Sequence, residues 1–148
     1  MKKLFILLAV ILTEFSALAQ NTNILLNNYI SVKDALISSN GKVSSEFINT
    51  LYNTVKMEEN FLQKAELLMA SEKLFKAGND IDKQRAAFND VSTVMWELVK
   101  GSELVNEPVY YQYCPMKKAY WLSKEKEIKN PFYGSNMLTC GKVVETKE

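Results

Sequence analysis

Apolar residues recur at spacings of three and four along most of residues 23–101, and this spacing predicts amphipathic helices. The first predicted helix ends at Asn40-Gly41, a pair that is typical of turns. Its apolar face comprises Ile24, Leu25, Tyr29, Val32 and Leu36.

A second helical stretch covers residues 44–77, which is long for one globular helix. We therefore expect a break near residues 57–60, although no Gly or Pro fixes its place. Ser44 or Ser45 is the expected N-cap, and Gly78-Asn79 is the expected end. The predicted apolar face comprises Phe47, Leu51, Val55, Phe61, Leu62, Ala65, Leu68 and Met69.

A third amphipathic helix is predicted to start at an Asp80 or Asp82 cap and to close at Gly101. Three or four helices joined by short connections predict an up-and-down bundle. The apolar positions of this third helix are Phe88, Val91, Val94, Met95 and Leu98.

The chain changes character after the third helix, because residues 106–148 hold all three Pro, both Cys and seven of the sixteen aromatic residues. Within this region Val109–Tyr113 favours a strand and Asn130–Gly134 favours a turn. The predicted fold is therefore mainly α. An up-and-down three- or four-helix bundle carries an irregular, short-β C-terminal module at residues 106–144, all within one domain at residues 20–148.

Residues 1–19 are typical of a secretory signal peptide. Lys2 and Lys3 precede an unbroken apolar run, and Ala17-Leu18-Ala19 offers a small-x-small cleavage site. The apolar run is too short to cross a roughly 30 Å hydrocarbon core as a helix, so we expect no permanent membrane anchor. A periplasmic or secreted protein is the expectation.

The composition excludes several classes of function. The chain contains no His, so it has no Ser-His-Asp or Cys-His nucleophile system. No other catalytic motif occurs in the sequence. We therefore expect that the protein is not an enzyme. Without residues 1–19, sixteen basic and sixteen acidic residues remain, so no nucleic-acid binding is expected. The pair Lys117-Lys118 is typical of a solvated face, with steering of a partner as the alternative.

Each Cys of the chain has a Met close by. Cys114 and Met116 are two residues apart, and Met137 and Cys140 are three apart, so each pair can share a side of a strand or of a helical turn. Thiolate and thioether ligands select a soft ion such as Cu(I) or Ag(I), which makes these four residues candidate metal ligands. Two Cys are too few for a self-contained structural zinc site.

A plain disulfide between Cys114 and Cys140 is the other interpretation. Export places the thiols in an oxidising compartment, and closing the loop between them would stabilise the fold by roughly 3 kcal/mol in the chain-entropy model. Composition and compartment alone favour the disulfide. The two states would be alternatives on one protein if Cu(I) binds only the reduced thiols.

The C-terminal module also carries a family resemblance. The module resembles a bacterial domain-of-unknown-function family at residues 113–116 (Tyr-Cys-Pro-Met), 119–123, 130–134 and 137–141. That domain occurs in exported single-domain proteins and appended to periplasmic adaptor subunits of copper/silver efflux pumps. The resemblance extends more loosely to residues 80–88, 26–29 and 33–36. The Cys-Pro-Met element is also similar to a Tyr-x-Cys-Pro-Met-His-Pro motif of small heavy-metal-binding domains, with Lys117 in place of its His.

The resemblance implies a helical domain with a sulfur-bearing module that handles heavy metals in the cell envelope. It makes Cu(I) or Ag(I) binding in periplasmic sequestration or transfer our first hypothesis, through Cys114, Met116, Met137 and Cys140. The alternative is an envelope interaction module that is fastened by a Cys114–Cys140 disulfide and binds no metal. An efflux-pump adaptor or another envelope protein is the expected partner.

Overall fold

The computed structural model describes residues 22–59 and 61–148, so the predicted signal peptide at residues 1–19 lies outside the described residues. Four helices precede a three-stranded antiparallel sheet within this part of the chain, which confirms a mainly α fold with a C-terminal β module. None of these helices is long and apolar enough to cross a membrane. The helices are α1 (22–37), α2 (Gly41–Met57), α3 (Lys64–Phe75) and α4 (Ile81–Lys100), and the strands are β1 (Val109–Cys114), β2 (Ala119–Ser123) and β3 (Lys142–Lys147).

Side-chain caps set the helix starts. The Asn40 side chain accepts hydrogen bonds from the N–H groups of Lys42 and Val43, both at 3.2 Å, so α2 begins at Gly41. The expected Ser44 or Ser45 cap is therefore wrong. The Asp80 cap is confirmed, since its carboxylate accepts from the first N–H groups of α4.

The predicted break of the second helical stretch is confirmed, since α2 ends at Met57 and α3 begins at Lys64. This break changes the rotational phase between the two helices. The predicted apolar face, which assumed one continuous helix, is therefore partly wrong. After the break, Leu62 is 94% exposed and Met69 73%. Phe47, which precedes the break, is also misassigned to the buried face, since it is 41% exposed. The faces that are buried comprise Ser44, Ile48, Leu51 and Val55 on α2, and Leu67, Ala70, Ser71 and Leu74 on α3.

The buried side chain of Gln84 holds three helix ends together. Its amide nitrogen donates to the carbonyls of Gly41 and Gly78, at 2.8 and 2.6 Å, and its oxygen accepts from the Ser44 hydroxyl at 2.5 Å. The start of α2, the segment that follows α3 and the first turn of α4 thus share one satisfied polar group. A buried amide of this kind stabilises the fold only when all its partners are present.

The sheet has the order β2-β1-β3 and rests on α4. Tyr111 of β1 stacks on Trp96 of α4 at 4.7 Å between ring centroids, with nearly parallel planes. Tyr120 of β2 stacks on Tyr111 at 4.9 Å, and Tyr113 follows at 4.6 Å from Tyr120, so four rings form a continuous column.

Side chains from the helices satisfy the outer edge of β2. The backbone N–H of Tyr120 donates to the Asn89 side chain at 2.8 Å, and that of Leu122 donates to the Tyr29 hydroxyl at 3.1 Å. Because β2 is an edge strand, these N–H groups have no strand partner. The helices therefore fix the position of the sheet through its backbone as well as through its rings.

The segment between β2 and β3 is fastened to the helices. The Arg85 guanidinium donates to the Pro131 carbonyl at 2.8 Å and to the Leu36 carbonyl, at the end of α1, at 3.0 Å. Phe132 packs edge-on against Trp121 of β2 and also contacts Phe88 of α4. One arginine and one phenylalanine thus position this segment against both the sheet and the helices.

We expect Tyr29→Phe to destabilise the protein by about 1–3 kcal/mol, because the buried Leu122 N–H would lose its acceptor and Ser92 its 2.7 Å partner. Urea unfolding measures the free energy. Tyr52→Phe is the matched control, since that partly exposed ring stacks on Phe75 at the surface, and we expect a change within about 0.5 kcal/mol. Equal losses in the two variants would contradict this role of Tyr29.

Candidate metal centre

The strand register brings the two cysteines together. Cys114 is the last residue of β1, and its neighbour Tyr113 pairs with Lys142, the first residue of β3. Cys140 precedes Lys142 by two residues, so it arrives beside Cys114 at one end of the sheet. Both are free thiols: Cys114 is fully buried and Cys140 is partly exposed.

The backbone around Cys140 is held by the buried side chain of Asn130. The Asn130 amide nitrogen donates to the Cys140 carbonyl at 2.6 Å, and its backbone N–H donates to the Leu138 carbonyl at 2.7 Å. Within the turn, the Cys140 N–H donates to the Met137 carbonyl at 3.1 Å. The thiol of Cys140 therefore sits on a defined turn rather than on a free loop.

Trp121 forms a wall of this site. Its position on β2 is diagonal to Cys114, since Ala119 is the direct partner of Cys114 and lies two residues before Trp121. A Cβ on Gly141, the residue after Cys140, would lie 2.7 Å from the Trp121 ring and 3.0 Å from the Tyr113 carbonyl. Gly141 also has a φ of +154°, so only glycine lets the chain pass this close to the indole.

Two buried polar atoms near the thiols have no hydrogen-bond partner within the described residues. They are the indole nitrogen of Trp121 and the amide oxygen of Gln112. Gln112 and Trp121 are direct cross-strand partners and share a face with Cys114. The neighbourhood of the thiols thus contains one donor and one acceptor that the protein itself does not satisfy.

The two thiols influence each other. Loss of solvation raises the pKa of the Cys140 thiol, and the hydrogen bond to Cys114 and the repulsion between the two charges raise it further. A proton is therefore retained on Cys140 to higher pH than on an isolated thiol. A bound cation would reverse this effect, because it favours the deprotonated sulfur.

The two methionines flank the cysteines and differ in exposure. Met116 is 64% exposed in the turn between β1 and β2, and Met137 is 36% exposed at the end of the 3₁₀ turn Gly134–Met137. Across the described residues, no group of three or more His, Cys, Asp or Glu side chains could hold a metal ion. A metal here would therefore depend on the two thiols, with thioethers as the remaining soft donors.

The comparison with known families identifies the helical part of the chain. The family described as "Protein of unknown function (DUF3347)" matches residues 25–107, more than half of the 148 residues. The chain belongs to the DUF3347 family. The match spans the four helices almost entirely and ends just before β1, so the Cys-Pro-Met and Met-Leu-Thr-Cys elements of this DUF3347 protein lie outside it.

No curated protein and no solved structure matches the DUF3347 chain. The family membership therefore comes from the helices, whereas the candidate metal centre lies in the module that follows them.

Three residues shape the centre beyond the four candidate ligands. By sequence, Tyr120-Trp121 favours anchoring of the module, with a cation–π or Cu(I)–aromatic contact as the alternative. Asn130 predicts only a turn, and Gly141 carries no prediction beyond following the second Cys. One signal was available, because an isolated glycine at a strand often marks a close backbone approach, and Gly141 precedes the apolar pair Val143-Val144 by two positions. The partner of that approach, a tryptophan twenty positions earlier, is known only from the structure.

We expect Cys114→Ala to lower the pKa of Cys140, because it removes both the hydrogen bond and the charge of the neighbouring thiol. In the wild-type protein the alkylation rate of Cys140 should reach its midpoint above the pH of about 8.5 that is typical of free cysteine. In the variant the midpoint should move down towards that value. Iodoacetamide labelling followed by mass spectrometry measures the profile, and an unchanged midpoint would show that the two thiols do not interact.

Proposed function

We propose that this protein is an exported, non-catalytic binder of Cu(I) or Ag(I) that sequesters the ion in the periplasm or transfers it. One observation carries the proposal: the register of β1 with β3 brings Cys114 and Cys140 together at one end of the sheet. A methionine stands within three residues of each thiol. Cys114, Cys140, Met116 and Met137 are the proposed ligands.

The chemistry of the donors favours a soft monovalent ion. Thiolates and thioethers are polarisable ligands that suit Cu(I) and Ag(I), whereas Ca²⁺ and Mg²⁺ require oxygen. The chain has no imidazole, and the described carboxylates do not gather near the thiols. The proposed site therefore depends on sulfur alone.

The exposure of the donors fits uptake and release. Cys114 is fully buried, Cys140 is partly exposed and Met116 is 64% exposed, so the soft donors extend from the interior to the surface. An ion would meet a thioether at the surface before it reaches the buried thiol. This gradient supports transfer to or from a partner, for which we propose an efflux-pump adaptor or another envelope protein, with the up-and-down helical bundle as a rigid support.

The reduced protein should take up about one Cu(I) per chain from a competing chelator under anaerobic conditions, because two adjacent thiolates form the core of the site. Cys114→Ser and Cys140→Ser should each abolish uptake at the same chelator concentration. The readout is the loss of the chelator complex, together with quenching of Trp121 fluorescence in a Trp96→Phe background. Failure of the reduced wild-type protein to compete would refute metal binding.

Matched methionine variants test the thioethers. Met116→Leu and Met137→Leu should each weaken competition for Cu(I), because each removes a soft donor and keeps the side-chain volume. Met57→Leu and Met69→Leu are the controls, since these two methionines are 81% and 73% exposed on α2 and α3. Equal affinities in both sets would restrict the site to the two cysteines.

The same cysteine pair supports a second function, a disulfide-fastened interaction module that binds no metal. In an oxidising compartment the neighbouring thiols would form a disulfide, which would link the segment between β2 and β3 covalently to β1. Protein purified from its native compartment would then contain no free thiols. Titration with a thiol reagent before and after reduction distinguishes the two functions: two free thiols without reduction, or Cu(I) uptake after it, would argue against this alternative.

A further inference from the structure

Acidic residues are absent from the two chain segments that carry the candidate ligands. No Asp or Glu occurs between Glu107 and Glu125, or between Glu127 and Glu145. Two of the flanking glutamates pair with lysines, as in Lys124–Glu107 and Lys129–Glu125, both at 2.8 Å. The segments that contain Cys114, Met116, Met137 and Cys140 thus contribute no negative side chain.

Three exposed lysines surround the thiol end, and we call Lys117, Lys118 and Lys142 the lysine rim. Lys117 and Lys118 lie in the turn that directly follows Cys114, and Lys142 pairs with Tyr113 two residues after Cys140. None of the three forms an ion pair with another described residue, unlike Lys124 and Lys129. Their charges are therefore not neutralised locally.

The backbone of one rim lysine, Lys118, is strained. Lys118 has a φ of +51°, in the left-handed region where Gly or Asn is the favoured residue. A non-glycine residue there costs on the order of 1 kcal/mol. A glycine would fit this conformation with less strain, so the turn places a positive side chain here at a cost in backbone strain.

Lys117 is positioned as well. Its ammonium group lies 4.9 Å from the centre of the Tyr133 ring, and Tyr133 directly precedes the 3₁₀ segment Gly134–Met137. This contact links the two chain segments that carry Met116 and Met137. A positive charge is thereby held against the segment that leads to Met137 and Cys140.

We propose that the ion reaches the thiol pair as a small anionic complex, a soft monovalent cation held by anionic thiolate or carboxylate ligands, and that the lysine rim attracts this complex. A cluster of uncompensated positive charge raises the local concentration of anions and their association rates. A bare cation would be repelled by the same lysines. The inference depends on the proposed function, because it names the form in which the ion arrives at the same site.

The test compares two Cu(I) donors of opposite charge, the anionic bicinchoninate complex and the cationic acetonitrile complex. Anaerobic stopped-flow mixing with the reduced full-length protein follows the ultraviolet absorption of the Cu(I)–thiolate bond. Replacing Lys117, Lys118 and Lys142 together with Gln should slow uptake from the anionic donor roughly tenfold at about 10 mM ionic strength, and the difference should shrink at about 150 mM. Uptake from the cationic donor should not slow.

A control variant carries Gln at Lys42, Lys56 and Lys147. These lysines also form no ion pair with a described residue, but Lys42 and Lys56 lie on α2, and Lys147 pairs with Val109 at the end of β1 opposite Cys114. This variant has the same net charge as the rim variant and should behave like the wild type. Equal rates in the two variants would overturn the steering, whereas a wild-type protein that takes up Cu(I) from neither donor would refute the proposed function instead.

Discussion

The central strand β1 pairs with β2 on one side and with β3 on the other, and this double pairing determines where every residue of the candidate centre lies. A strand offers two hydrogen-bonding edges, and a register slip of one residue would move every side chain to the opposite face. With the observed register, the end of β1 meets the start of β3, and the two cysteines become neighbours. The centre is thus a consequence of backbone hydrogen bonding.

The helices fix this sheet by satisfying its exposed backbone. Tyr29 and Asn89 accept hydrogen bonds from the outward-facing N–H groups of β2, and Arg85 donates a hydrogen bond to the segment that leads to Cys140. Each of these side chains comes from a helix within the matched family region, residues 25–107. The helical part of the fold therefore supplies the groups that hold the sulfur-bearing module in place, which gives a physical connection between the family domain and the segment beyond its match.

The module itself combines rigid and open parts. The column of Trp96, Tyr111, Tyr120 and Tyr113 packs one side of the sheet against α4, and Trp121 lies against the opposite face near the thiols. Met116 and the lysines of the adjacent turn remain in solvent. A preorganised pair of thiols with an exposed thioether at its margin is the arrangement that the proposed exchange of an ion with a partner requires.

Local signals in the sequence predicted much of the fold. The Asp80 cap, the end at Gly101 and the strand at Val109–Tyr113 depend on residues within a few positions, so they were identified correctly. The break after Met57 was identified from the length of the helical stretch. The cap at Asn40 was missed because Ser44 is an equally good capping residue by type. Only the structure shows that Ser44 is buried and bonded to Gln84, forty positions away. The apolar face of α3 was misplaced because the break changes the helical phase by an amount that no local signal specifies.

The sequence by itself determined which chemistry this protein can offer: sulfur donors in two short segments, no imidazole and a formal net charge of only +1. Spacing within each segment also placed a methionine beside each cysteine. Only the tertiary structure decided that the two segments meet, that Trp121 and Gly141 enclose them and that the lysines nearby have no ion pair among the described residues. The reason is physical, because these facts depend on strand pairing and packing between residues far apart in the chain, and no periodicity within a segment encodes such a distance.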